Sequence, residues 1–241
     1  MSMHKQIQVI TLLVAILVTS TATLYFISRA RSVPPARFHS EPILSRADSC
    51  VSQADIVTEV KRLSRDTIEA REAVKRLLIL ARITPECRAK TIEELVLAMN
   101  KPHLDFQADR PSFFQWSTAA SVLGELKAVE ALDFLIDHSN LNDGEFSASM
   151  SHQPAIGAII KMGSAAVPKL SDALKHNQNR EIRLAVALCL SAIGGQEATE
   201  ALKQALATES DKCVRRFVEL SLAYPTVDVL QERLLAYRCG E

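Results

Sequence analysis

Tryptophan occurs once in this chain, tyrosine three times and glycine seven times in 241 residues. That scarcity is what a helical array built on alanine and leucine prefers, and no stretch reads as a convincing strand. Net charge is also missing: 28 basic residues balance 28 acidic ones, which argues against a general nucleic-acid binder. Catalytic signatures are missing too. The chain has no HExxH, CxxC, P-loop, GxGxxG or GxSxG. Its six histidines (His4, His39, His103, His138, His152, His176) are scattered, none with a second His or a Cys at metal-ligand spacing. Asp133 and Asp137 stand at helical i,i+4 spacing and read as a solvated face. The sequence therefore implies no catalytic residues, no cofactor and no metal.

What the chain does contain is repetition. Residues 123–138 (LGELKAVEALDFLIDH), 160–176 (IKMGSAAVPKLSDALKH) and 191–208 (SAIGGQEATEALKQALAT) look like copies of one another. Each reads as an apolar helix end, a glycine (Gly124, Gly163, Gly194) and a second helix carrying a leucine seven or eight residues later (Leu132, Leu170, Leu202). The glycines are 39 and 31 residues apart. A period of that length implies stacked helix pairs, none able to bury its apolar face without its neighbours. The expected fold is all-α: an α-solenoid of antiparallel helix pairs, preceded by one transmembrane helix.

The transmembrane expectation rests on residues 6–28, 23 consecutive uncharged and mostly apolar residues. As a helix the run is roughly 35 Å long, enough for a hydrocarbon core of about 30 Å. Lys5 precedes it, Arg29 and Arg31 close it, and Tyr25 and Phe26 fall where interfacial aromatics belong. The rival is a cleaved signal peptide, for which Ser20-Thr21-Ala22 offers a small-x-small pattern. The expected organisation is an anchor or signal at 1–28, with membrane contact through 7–27, a Pro/Ser-containing linker at 29–51 and a helical repeat domain at 52–241.

Within that domain, helical spacing predicts helices near 53–64 and 66–82, and a third opened by Thr84 as N-cap with Pro85 in its first turn. Residues 101–112 form the longest irregular stretch, followed by a helix capped by Pro111-Ser112. Four of the chain's nine Phe and Trp residues lie here: Phe106, Phe113, Phe114 and Trp116. They either fill a gap between the first helices and the repeats or anchor a partner, since aromatics dominate binding hot spots. A second, polar loop spans 139–151. Charge is uneven along the chain: 13 basic and 8 acidic residues over 29–90, then 3 basic and 10 acidic over 91–150. Solvated helix faces and a steering field for a charged partner both accommodate this.

At 117–224 the chain resembles HEAT repeats, particularly the short HEAT-like type of phycobilisome lyases and bacterial scaffold proteins. The resemblance is carried by Ala119-Ala120 and Leu123-Gly124 with Ala131-Leu132, and by Met162-Gly163 with Ala166-Val167-Pro168 and Leu170. Arg183, Ala187 and Ile193-Gly194 with Ala201-Leu202 continue it, and Asp211 with Val214-Arg215 opens a further repeat. It implies a protein-interaction scaffold without catalysis, and arginines at 183 and 215 that bind acids and carbonyls between repeats. HEAT-type deoxyhypusine hydroxylases hold iron through His-Glu pairs, and this chain has no His-Glu dipeptide. A lyase or isomerase of the bilin-lyase branch, acting on a bound small molecule, is the alternative function; no motif residue carries over for it.

Four of the five cysteines fall where helix hairpins end. Cys50 precedes the first helix and Cys87 follows the second; Cys213 opens one helix near 212–224 and Cys239 ends the next, near 227–238. Bridges pairing Cys50 with Cys87 and Cys213 with Cys239 would staple both ends of the array, each worth about 3.5–4 kcal/mol on the chain-entropy model. Cys189, in VALCLSAIGG, reads as a buried free thiol. Pairable cysteines place the repeat domain outside the cytoplasm, whereas Arg29, Arg31, Arg37 and Arg46 after the apolar run place it inside. The extracytoplasmic side is the expectation, with a protein partner and no nucleic acid.

Overall fold

The computed structural model describes residues 53–64, 68–100, 110–141 and 153–224, all within one compact unit, 48–241. The expected anchor, the linker, Phe106, Cys50 and Cys239 lie outside the described residues. Among the described residues no helix is long and apolar enough to cross a membrane, and there is no strand.

Among the described residues ten α-helices run in order: α1 (Gln53–Arg62), α2 (Ile68–Leu80), α3 (Pro85–Met99), α4 (Arg110–Glu125), α5 (Leu132–Asp137), α6 (Pro154–Met162), α7 (Val167–His176), α8 (Arg180–Ile193), α9 (Gly195–Thr208) and α10 (Lys212–Ala223). Short 3₁₀ turns, Val129–Ala131 and Gly163–Ala166, lead into α5 and α7. Helix starts follow side-chain chemistry. Thr84 Oγ1 accepts from Cys87 N at 3.1 Å, with Pro85 in the first turn of α3. Asn179 Oδ1 accepts from Glu181 N at the start of α8. Asp211 Oδ1 accepts from Cys213 N and Val214 N at the start of α10. Each satisfies amides that the helix itself leaves unbonded.

The packing is a two-layer stack. Helices α4, α6, α8 and α10 pack each on the next; α5, α7 and α9 form the second layer in the same order. The core runs unbroken through both. Leu132 and Leu170 are fully buried and Leu202 nearly so, because each faces the helices of the adjoining pair. Alanines at 119, 120, 155, 158 and 187, all at 0–1% exposure, let helix axes approach closely. Ser191 Oγ donates to Ser221 O at 3.3 Å, a buried bond from α8 to α10. Helices α1–α3 pack on the face of α4. Glu59 ties α1 to α2, its Oε1 accepting from Arg62 at 3.0 Å and Arg76 at 3.1 Å.

Two expectations change in detail. Gly124, expected with Gly163 and Gly194 to follow a helix end, lies inside α4. A Cβ there would sit 2.9 Å from Ala158 Cα and 3.0 Å from Ala158 O, so this glycine serves the α4–α6 contact. The left-handed corner falls instead on Lys127, φ 49, as against 68 at Gly163 and 65 at Gly194. Ala128 N bonds Leu123 O at 3.0 Å and Lys127 N bonds Gly124 O at 3.0 Å, the paired bonds of a Schellman helix end. Helix α4 also begins at Arg110, before the expected Pro111-Ser112 cap.

Candidate functional site

Three arginines recur at one place in the helix pairs. Arg88, Arg183 and Arg215 each follow a capping residue by four positions, and their amides bond that residue's carbonyl: Arg88 to Thr84, Arg183 to Asn179 and Arg215 to Asp211. This Thr/Asn/Asp-x-x-x-Arg spacing was a signal that could have found Arg88, which the sequence reading did not single out.

Arg183 is the most enclosed of them. Its side chain is 13% exposed and that of Glu209 is 9%. Nε donates to Glu209 Oε2 at 3.0 Å, Nη1 donates to Asn177 O at 2.9 Å, and Asp211 Oδ2 lies 3.9 Å from Nη2. One guanidinium thus joins the α7–α8 corner to the α9–α10 corner. Arg88 does comparable work at the other end, donating to Leu126 O at 2.9 Å and reaching Glu130 at 3.4 Å. It fixes α3 to the turn after α4. A planar, permanently charged fork suits carbonyls and carboxylates at once. The expected inter-repeat role holds for Arg183. Arg215 is exposed and makes no side-chain hydrogen bond among the described residues.

The aromatic cluster divides. Trp116 is 1% and Phe113 7% exposed, so both are core residues, and the Trp116 ring sits 6.4 Å from that of His138. Phe114 is 39% exposed and remains available to a partner. Leu97 is 63% exposed on the rim of an open cavity of about 460 Å³ between α1, α3 and α4, where Val57, Val60 and Ala98 supply apolar wall. Gln115 Nε2 closes its floor by donating to Val60 O at 3.2 Å. Ile68, at 79%, and Ile79, at 57%, are the other strongly exposed aliphatics.

Cys87 and Cys213 are disulfide-bonded, whereas Cys189 is a free, buried thiol whose pKa burial pushes far up. A thiol held protonated in the core is not a nucleophile. Among the described residues no group of three His, Cys, Asp or Glu side chains converges to hold a metal.

Residues 153–223, spanning α6 to α10, match the family model for HEAT repeats. The match and the stacked helix pairs support a HEAT-like helical-repeat protein, a class that commonly mediates protein–protein interaction. A comparison with curated proteins returns no match.

Proposed function

We propose that the chain is a membrane-tethered, non-catalytic scaffold whose helical-repeat surface binds a protein partner. The observation that carries the reading is the repeated stack itself: a match to HEAT repeats over 153–223 within an array whose helices pack layer on layer. Such an array offers area and shape rather than an enclosed reaction site. Leu97 and Phe114, exposed beside otherwise buried neighbours, are the contact residues we favour, because aromatic residues are enriched at interface cores and covering an exposed leucine removes apolar area from water.

The tether is the uncharged run at 6–28. The repeat domain lies outside the cytoplasm in this reading, which the disulfide-bonded state of Cys87 and Cys213 supports, since such bonds persist in oxidising compartments. Their proposed partners are Cys50 and Cys239. The test uses the full-length chain in native membranes, with a photoactivatable residue at Leu97 or Phe114. Discrete protein adducts identified by mass spectrometry are expected, with release from membranes on deleting residues 1–28. Absence of adducts from both positions would remove the binding surface. Five alkylatable thiols without reduction would move the repeat domain to the cytoplasmic side.

A further inference from the structure

Between the end of α5, the start of α6 and the first turns of α8 lies a cavity of about 340 Å³ that the helix stacking does not account for. Its polar lining comes from Ser139, Asn140, Gln153 and Glu181, and its apolar wall from Ile156, Leu184 and Leu188. Ser139 is 1% exposed. Its Oγ, together with Oε1 of Gln153, is buried and has no hydrogen-bond partner among the described residues. Two such atoms on one cavity are unusual. A buried polar atom left without a partner costs about 1–3 kcal/mol; Gln153 Oε1 can only accept, and Ser139 Oγ can accept as well as donate, so a donor satisfies both.

The charges on the lining fix the sign of that ligand. Glu181 is the one ionisable residue among the described lining residues, and Arg180 Nε engages only its Oε1, at 3.2 Å. Among the described lining residues there is no lysine, arginine or histidine, so the one formal charge an ion would meet there is the Glu181 carboxylate. Pro154, the first residue of α6, contributes no amide donor at the helix end. The apolar wall suits a methylene stem rather than a bare ion, as long cationic side chains cover apolar surface while their heads find polar partners. The volume lies at the small end of ligand pockets, about 300–1,000 Å³, and accommodates one long side chain. The neighbouring sequence 142–152 contains no Lys or Arg, and His152 is its one residue that can carry a positive charge.

We infer that this cavity receives a lysine or arginine side chain of the protein partner, its stem on Leu184 and Leu188 and its head shared by Ser139 Oγ, Gln153 Oε1 and Glu181. The inference rests on the scaffold reading and names a chemical requirement for the partner. The uneven charge fits it, since residues 91–150 hold 10 acidic and 3 basic side chains.

The test is a nuclear magnetic resonance titration of the full-length chain with four capped pentapeptides, two alanines on either side of arginine, lysine, norleucine or glutamate. The arginine and lysine peptides are expected to bind at least about tenfold more tightly than the other two, as a hydrogen bond to a charged group allows. Amide shifts should concentrate at 139–140, 153–156 and 181–188. Ser139→Val and Glu181→Gln should each erase most of the preference, and both leave the fold intact because neither removes a hydrogen bond that holds it. Equal binding of all four peptides, no binding, or a preference that survives both substitutions would overturn the inference. If the photo-crosslinked partner is still captured by both variants at wild-type yield, the cavity assignment falls while the scaffold reading stands.

Discussion

Lys161 Nζ lies 2.7 Å from Glu125 Oε1, across the boundary between the first helix pair and the second. The same ammonium is 3.2 Å from Ser121 Oγ, so one side chain of α6 holds two successive turns of α4. Lys169 and Asp133 repeat the relationship in the other layer, at the same sequence separation of 36 residues.

The Lys161 pair predicts a pH dependence. The hydrogen bond and charge of Lys161 hold the Glu125 carboxyl below its ordinary value of 4.5. A depressed carboxylate contributes stability above its unfolded pKa and loses it as pH falls through the folded value. Lys161→Met should therefore cost up to about 1 kcal/mol at pH 7, the usual ceiling for an exposed pair. Urea unfolding should show the gap between variant and wild type closing below pH 4. A gap unchanged at pH 3 would assign the loss to packing of the lysine stem.

Gly124→Ala should destabilise the protein by about 1–3 kcal/mol, the range for forcing an extra methyl into a packed contact. The added carbon would meet the backbone of Ala158, and backbone cannot rotate aside. Thermal unfolding of the variant checks it. A melting temperature within error of wild type would mean that α4 and α6 can separate freely.

Lys127→Gly should do the opposite. Lys127 is exposed and sits at φ 49, a conformation in which a Cβ is strained and glycine is not. Its carbonyl, which accepts from Arg88, is untouched. A gain of a few tenths to about 1 kcal/mol is expected, the added freedom of the unfolded chain offsetting part of it. Denaturant midpoints decide the sign.

Arg183→Met should cost about 3 kcal/mol, since it strands a carboxylate at Glu209 that is largely buried. The double variant with Glu209→Gln should recover part of that loss. A double-mutant cycle by urea unfolding measures the coupling; a single-variant cost under about 0.5 kcal/mol would show that the two corners hold without the arginine.

The helical class and the stacking period were legible because they depend on spacing, and spacing is a property of the sequence. The cap at Thr84, the repeat opening at Asp211 and the free thiol at Cys189 were legible from local sequence in the same way. The identity of the first corner was not. Gly124 looks like a helix-ending glycine until α6 is seen pressed against it, and nothing local marks Lys127 as left-handed. Phe113, Phe114 and Trp116 are adjacent in sequence but 100° apart per residue around a helix, so their different burial depends on what α4 packs against. The Ser139 cavity was hidden for a related reason: its walls come from residues more than 40 positions apart, from Ser139 to Leu188.

The contact at Gly124 carries a mechanical consequence. Where helices meet through interlocking side chains, rotamers can yield and absorb a small displacement. At this crossing the backbone of Ala158 stands directly over Gly124, with no side chain between them to give. Such a contact is stiff under compression. A load borne by α4 would pass to α6 with little damping, so this junction serves as the rigid knuckle of the array.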